Sequence, residues 1–238
     1  ESAQGAFQPG DVVLKWNDAP VRDVFQLREQ IIANTQASAV ITVQHGDKQK
    51  SLTLQLKGID EVVWASSDRQ TIKAPVTGGG APNASCPQQV PPADTTENTR
   101  STGFFLRFGA FRFVDLGDVS GDPLFNLICP KALLGPVDLF LVPHHASTDT
   151  AYPAVLQAFR PLAVVVNNGA TKGGQAPAFA ALHALADVRD VWQLHRSTVV
   201  GVTNYADAQI ANLDESTAHW IKAVASRDGS FSVTNGRT

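Results

Sequence analysis

Hydrophobic residues in the second half of the chain form short runs that alternate with amphipathic stretches. Two apolar runs, residues 104–108 and 111–116, are separated only by Gly109-Ala110, which predicts a tight hairpin. A third apolar run, residues 138–142, stops at Pro143. The later pattern predicts helices at 152–159 and 177–187, strands at 162–167 and 191–194, and a terminal hairpin of 220–225 with 230–234 that closes one sheet edge. This alternation is typical of an α/β layered fold, in which sites gather at the carboxyl ends of strands.

The first 57 residues have a different pattern, which predicts a separate small α+β module. A helix at 24–34 is predicted from an apolar stripe, with Asp23 as its N-cap. The stripe consists of Val24, Leu27, Ile31 and Ile32, and the predicted strands are 12–16, 39–44 and 51–56. We therefore expect one domain at 1–57 and a second at 58–238.

The second domain is expected to begin with a strand pair, 61–65 and 71–74, followed by a long loop. Residues 77–100 are rich in Gly, Pro, Asn and Thr, a composition that disfavours regular structure. A loop of that length inside an ordered domain is often functional.

Two predicted strand ends carry side chains that bind metals. Asp118 follows Gly117 after the 111–116 run, and His144-His145 follow Pro143. Carboxylate and imidazole are ligands that zinc, manganese and iron accept. Adjacent side chains on an extended segment point opposite ways, so we expect one imidazole, that of His145, to enter the site and His144 to lie at its rim. A turn aspartate and two polar strand-end histidines are the structural alternative.

The order of these motifs resembles the C-terminal half of a metallo-β-lactamase-fold hydrolase, in particular the branch related to bacterial DNA-uptake (competence) proteins. The segments that carry the resemblance are Gly117-Asp118, Pro143-His144-His145-Ala146-Ser147, 78–83, 97–101, 167–174, 192–195 and 228–231. The resemblance implies that Asp118 binds one or two divalent ions, zinc or manganese, together with His145 or His144. It also implies hydrolysis of a small ester or phosphodiester substrate.

The glycine-flanked loop after residue 167 is the candidate for substrate binding. Lys172 offers a point charge to an anionic substrate, and glycines permit close backbone approach. Asn168 in the same segment is the second candidate, while a solvated loop lysine is the alternative for Lys172.

One departure from the family limits the enzyme hypothesis. The chain contains no His-x-His-x-Asp-His motif, which supplies most metal ligands in this family. Two ligands hold zinc poorly, because catalytic zinc usually has three protein ligands and a water. We expect the chain alone to be inactive, with the other ligands supplied by upstream residues, by a second chain or not at all. The complete lack of methionine also suggests a piece of a longer product.

The N-terminal module resembles a bacterial PDZ domain through residues 2–14 and 17–21. PDZ domains bind an extended C-terminal peptide by strand addition. The strand and the carboxylate-holding loop that precede this motif in the family would lie upstream of Glu1, so a packing or spacer role is the alternative for these residues. Peptide binding without catalysis, in an extracytoplasmic interaction module, is the competing function for the whole chain.

Composition argues against nucleic-acid binding and against a membrane span, but it leaves the state of the two cysteines open. A net charge of −3 and a pI near 6.1 do not indicate a nucleic-acid partner. No apolar run reaches the roughly 20 residues of a membrane span. Cys86 and Cys129 are either two unrelated buried thiols or a disulfide, for which the chain-entropy model gives roughly 4 kcal/mol. A disulfide indicates a periplasmic or secreted protein.

Overall fold

The computed structural model of the protein describes residues 10–33, 38–55 and 59–238. The chain divides into two compact units, Glu1–Ile59 and Asp60–Thr238. Its architecture is mixed α/β, and the described residues contain four α-helices and a large sheet.

The N-terminal unit is a four-stranded antiparallel sheet with one helix. The strand order is β2-β1-β3-β4, and the chain order is β1 Val12–Trp16, β2 Ala19–Pro20, α1 Val24–Ala33, β3 Ser38–His45 and β4 Lys48–Gln55. Alternate residues of β3, namely Ala39, Ile41 and Val43, form a small core with Trp16 of β1. The predicted strands are confirmed within the described range. Residues 1–9, which carry part of the PDZ resemblance, lie outside it.

The predicted N-cap of α1 is confirmed. The Asp23 carboxylate accepts a hydrogen bond from the backbone N–H of Gln26 at 2.8 Å, which satisfies one of the free donors of the first turn. Leu27 of the predicted stripe packs against the core, but Ile31 is 43% exposed. The side chains of Val24 and Ile32 lie outside the described residues.

The C-terminal unit is built on an eight-stranded sheet of order β14-β13-β12-β11-β9-β8-β5-β6. Its first elements are β5 Glu61–Ser67, β6 Gln70–Thr71, β7 Ala81–Pro82, β8 Gly103–Phe108, β9 Phe111–Asp115, α2 Gly121–Ile128 and β10 Lys131–Ala132. The remaining elements are β11 Leu139–Leu141, α3 Pro153–Phe159, β12 Ala163–Val166, α4 Ala176–His183, β13 Asp190–His195, β14 Ile210–Asn212, β15 Ile221–Ala225 and β16 Phe231–Asn235. Short 3-10 helices span Glu97–Arg100, Pro143–Ala146 and Asp207–Gln209.

Five neighbouring strands of this sheet, β9 and β11 to β14, run parallel, so their carboxyl ends meet at one edge. The β8–β9 hairpin is confirmed, with Phe108 opposite Phe111 across the Gly109-Ala110 turn. Alternation along the strands sends one set of apolar side chains to a core shared with α2, α3 and α4, where Phe105, Phe140 and Phe159 are almost fully buried. This core fixes the strands whose ends carry the candidate site.

The terminal hairpin exists, but its predicted position was wrong. Strands β15 and β16 pair only with each other, and the edges of the large sheet are β14 and β6. Phe231 and Val233 alternate along β16 and pack with Phe111 and Leu139 on the sheet face opposite the helices. The hairpin covers part of a face because Ala225, Phe231 and Val233 pack against that face.

Two other predicted elements are shorter in the structure. The second strand of the 61–74 pair ends at Thr71, after a turn at Asp68-Arg69. Helix α4 ends at His183, four residues before the predicted end.

The 77–100 loop has little regular structure, as predicted, yet it is fastened at several points. Cys86 and Cys129 form a disulfide, which decides between the two alternatives left open by the sequence. The buried side chain of Asn83 donates to the carbonyls of Ile128 and Ala154. The Ser120 hydroxyl donates to the carboxylate of Asp94 at 2.7 Å. These contacts hold the loop against the start and the end of α2.

Candidate functional site

Residues from neighbouring strand ends meet at the carboxyl edge of the large sheet. They line a cavity of about 160 Å³. The lining residues are Asp115, Gly117, Asp118, Leu141, Val142, His144, His145 and Asn167. The sheet order places β9 beside β11 and β11 beside β12, which brings together segments that are about 50 residues apart in sequence.

The two histidines lie on a left-handed turn. His144, His145 and Ala146 have φ values of 48°, 56° and 59°, in a region that costs L-residues about 1–2 kcal/mol each. The expectation of an extended segment with one imidazole facing away was therefore wrong. The segment is a tight turn to which strand alternation does not apply, and both histidines line the cavity.

Backbone hydrogen bonds from both neighbouring strand ends hold this turn. The N–H of His144 donates to the carbonyl of Gly117 at 2.9 Å. The N–H groups of Gly174 and Gln175 donate to the carbonyls of His145 and Ala146 at 2.7 and 3.0 Å. Unusual backbone of this kind persists only where the surroundings enforce it, and it is concentrated at functional sites.

His145 faces Asp118 directly. Its Nδ1 lies 2.6 Å from the carbonyl oxygen of Asn167, and because a carbonyl only accepts hydrogen bonds, Nδ1 carries the proton. Its Nε2 lies 3.4 Å from Oδ1 of Asp118. A neutral His145 therefore turns a lone pair toward a carboxylate, an arrangement that attracts a cation or a second proton.

His144 is held by two other segments. Nδ2 of Asn98, in the 3-10 helix Glu97–Arg100, donates to Nε2 of His144 at 3.2 Å. On the opposite side of the ring, Nδ1 is buried, lies 3.7 Å from a carboxylate oxygen of Asp149 and makes no hydrogen bond. The 77–100 loop thus reaches the site through Asn98, a contact that the sequence alone did not identify.

Two carboxylates give the cavity negative charge. Asp118 donates its backbone N–H to the hydroxyl of Ser101, which leaves its side chain directed at His145. Asp115 also lines the cavity, and its Oδ1 accepts from the N–H of Gly117. Strand alternation turns Asp115 to the side opposite the fully buried Leu116.

Nearby, the carboxylate of Asp94 accepts from Ser120 and from the backbone of Thr96. The Ser120 hydrogen bond is the largest cause of its lowered pKa, and the hydrogen bonds from Thr96 add to the effect. Asp94 therefore stays ionised and holds the loop close to the site.

The two candidate substrate-binding residues are placed differently. Asn168 is 1% exposed, and its Nδ2 donates to the carbonyls of Gly169 and His195. It therefore holds the loop and the end of β13 together. Lys172 is exposed on the same loop and is not among the residues lining the cavity.

Among residues 10–33, 38–55 and 59–238, no group of three or more His, Cys, Asp or Glu side chains is arranged to hold a metal ion. The side chains of Asp118 and His145 are nevertheless of the right type for a divalent ion, and the Nε2 lone pair is available. They fit two positions of a metal site rather than a complete one.

Comparisons with protein-family models, with curated proteins and with solved structures found no match. Within the described part of the chain, no helix has both the length and the apolar character needed to cross a membrane.

Proposed function

We propose that the carboxyl edge of the large sheet is half of a divalent metal site in a hydrolase of the metallo-β-lactamase type. The observation that carries this proposal is the pair formed by Asp118 and His145. An imidazole nitrogen fixed as an acceptor and a carboxylate oxygen lie 3.4 Å apart. A zinc or manganese ion shared by them would relieve the repulsion between the two acceptors.

The surroundings of the pair support the same proposal. Asp115 adds a second carboxylate to the cavity, and the Asn167 carbonyl fixes the His145 ring as second-layer groups do at metal sites. The resemblance assigns the same positions to metal binding. His144, held by Asn98, also lines the cavity and would be the second imidazole near an ion or a substrate.

In the proposed reaction, the residues of this chain bind and orient. When bound, a divalent ion acts as a Lewis acid and lowers the pKa of its water. The Nε2 lone pair of His145 and the carboxylate of Asp118 would hold that ion at the strand ends. Lys172, exposed on the loop after β12, would attract an anionic ester or phosphodiester, whereas buried Asn168 would act by shaping that loop.

Catalysis needs ligands beyond these. The chain has no His-x-His-x-Asp-His motif. We therefore expect hydrolysis only when another segment or another chain completes the site. A disulfide-bonded protein of this kind is proposed to act outside the cytoplasm, since reducing compartments keep thiols reduced.

One observation favours a non-enzymatic binding module as the second candidate. Across the described ranges, no three or more His, Cys, Asp or Glu side chains are arranged so that they could hold a metal ion together. In that case the PDZ-like unit would bind a peptide and the strand-end histidines would be structural.

Zinc binding separates the two candidates. We expect the full chain to bind about one zinc ion by calorimetric titration, and Asp118→Asn and His145→Gln to weaken binding at least tenfold. Asp187→Asn and His219→Gln are matched controls outside the cavity and should bind like the wild type. An absence of binding at millimolar zinc, or equal affinity in Asp118→Asn, would refute the metal proposal.

A further inference from the structure

The segment after β12 contacts the backbone of the histidine turn along three consecutive residues. Gly174 and Gln175 donate their N–H groups to the carbonyls of His145 and Ala146. Just before this segment, the carbonyl of Asn167 accepts the Nδ1 proton of His145 at 2.6 Å. The same stretch of chain therefore fixes both the backbone and the ring of His145.

Gly173 is the point of closest approach. A Cβ atom at this position would lie 2.2 Å from the carbonyl oxygen of His145 and 2.3 Å from its Cβ, far inside the contact limit. Its φ of +68° is also in the region that favours glycine. Because the clashing atoms belong to the backbone and to Cβ, a side-chain rotation does not relieve the overlap.

We propose that Gly173 is a positioning residue for His145, and that the Asn167 carbonyl selects the tautomer in which Nε2 faces Asp118 without a proton. The lack of a side chain at Gly173 lets the segment dock closely enough for both backbone hydrogen bonds to form. The consequence for metal affinity rests on the proposed function, but the ring orientation and the tautomer do not.

The physical reason is that an imidazole has two nitrogens of nearly equal basicity. A ring held only at its Cβ can exchange the roles of Nδ1 and Nε2, and its neutral form then also presents a proton to the cavity. A carbonyl at 2.6 Å from Nδ1 removes that alternative. Second-layer partners of this kind typically change metal affinity 10- to 100-fold when they are removed.

The experiment compares Gly173→Ala with Gly169→Ala in the full chain. Gly169 lies in the same loop, yet an added Cβ there would make only ordinary contacts of 3.5 Å or more with Lys172. Histidine-selective ¹⁵N labelling and long-range ¹H–¹⁵N correlation spectra report the tautomer of each ring, and His145→Gln assigns the signal. Zinc affinity is measured in the same samples, and amide hydrogen exchange monitors folding.

In the wild type we expect His145 to carry its proton on Nδ1 and the amides of Gly174 and Gln175 to be protected from exchange. Gly173→Ala should lose this tautomer preference, expose both amides and weaken zinc binding at least tenfold, whereas Gly169→Ala should match the wild type. The proposal would be overturned if the wild-type protein carries the proton on Nε2 of His145. It would also be overturned if Gly173→Ala and Gly169→Ala give the same spectrum and the same zinc affinity. If Gly173→Ala does not fold, the wild-type tautomer and amide protection decide.

The readouts also separate this inference from the metal proposal. A wild type that binds no zinc but shows the Nδ1 tautomer and its loss in Gly173→Ala supports positioning and refutes the metal half-site. A wild type that binds zinc, with equal binding by both glycine variants, supports the half-site and overturns positioning.

Discussion

Removal of the Cys86–Cys129 disulfide tests how the long loop is held against the C-terminal unit. The perturbation is the double variant Cys86→Ala/Cys129→Ala. Alanine avoids placing a hydroxyl at position 129, where the native cysteine is only 6% exposed. The Asn83 and Asp94 contacts remain in the variant, so we expect the native fold to be retained.

The size of the effect follows from the length of the closed loop. The cysteines are 43 positions apart, and restraining that segment in the unfolded chain contributes about 4 kcal/mol in the chain-entropy model. Measured values are often smaller, because unfolded chains retain some structure. We therefore expect the free energy of unfolding of the C-terminal unit to fall by about 2–4 kcal/mol.

Native-state hydrogen exchange by mass spectrometry measures this loss for the C-terminal unit alone. Peptides from the buried strands β11 and β12 report its global opening, and peptides from β3 serve as the internal control in the N-terminal unit. A second control, Cys86→Ala in the presence of a thiol-blocking reagent, separates the loss of the bond from the loss of the second sulfur. If the opening free energy of β11 and β12, measured by hydrogen exchange, falls by less than about 1 kcal/mol in the variant, the chain-entropy account is refuted.

Other regions allow three further predictions. Burial raises the pKa of Tyr152 and of Tyr205 to about 12, and these are the only tyrosines in the chain. Because the pKa of both tyrosines in the folded protein lies above the ordinary value of 10, their contribution to stability is complete below pH 10 and is lost as pH rises toward 12. Absorbance at 295 nm should therefore show no tyrosinate in the folded protein at pH 10. A titration midpoint near pH 10 would contradict this expectation. Phe140→Ala should lower the free energy of unfolding, measured with urea, by about 3–5 kcal/mol, because Phe140 is fully buried. A decrease below about 1 kcal/mol would contradict its role in the core. Asn83→Ala should lower the free energy of unfolding by about 1–3 kcal/mol and increase proteolysis within residues 84–96, because two backbone carbonyls lose their hydrogen-bond donor. An unchanged cleavage rate would show that the disulfide alone holds the loop.

Local patterns predicted much of the secondary structure. The hairpin around Gly109-Ala110 follows from two apolar runs and a turn dipeptide, and the N-cap Asp23 follows from side-chain chemistry. These features depend on residues close in sequence. The position of β15 and β16 depends instead on which surface lies free for Phe231 and Val233, and that information is distributed over strands far away in the chain.

The sequence predicted which residues meet at the candidate site, but it did not predict the backbone conformation that positions them. Asp118 and His145 were identified from their places after apolar runs. The left-handed conformation of His144 and His145 was not, because bulky L-residues rarely adopt it and because it is held here by backbone contacts from Gly117, Gly174 and Gln175. The Asn98 contact depends on how a 24-residue irregular segment, 77–100, folds back, and composition carries no such information.

The charge arrangement of the cavity supports a cation more directly than the resemblance does. Asp115 and Asp118 are both acceptors when ionised, and the Asn167 carbonyl leaves Nε2 of a neutral His145 as a third acceptor. Three acceptors around a small cavity, with no basic side chain among its lining residues other than two histidines, repel one another unless a proton or a metal ion lies among them. A proton on Nε2 of His145 would serve Asp118 through one hydrogen bond, whereas a divalent ion would be bound by the Asp118 carboxylate and by Nε2 of His145 together. Comparing the His145 ring by NMR with and without zinc at pH 7.5 therefore distinguishes a structural ion pair from a metal half-site.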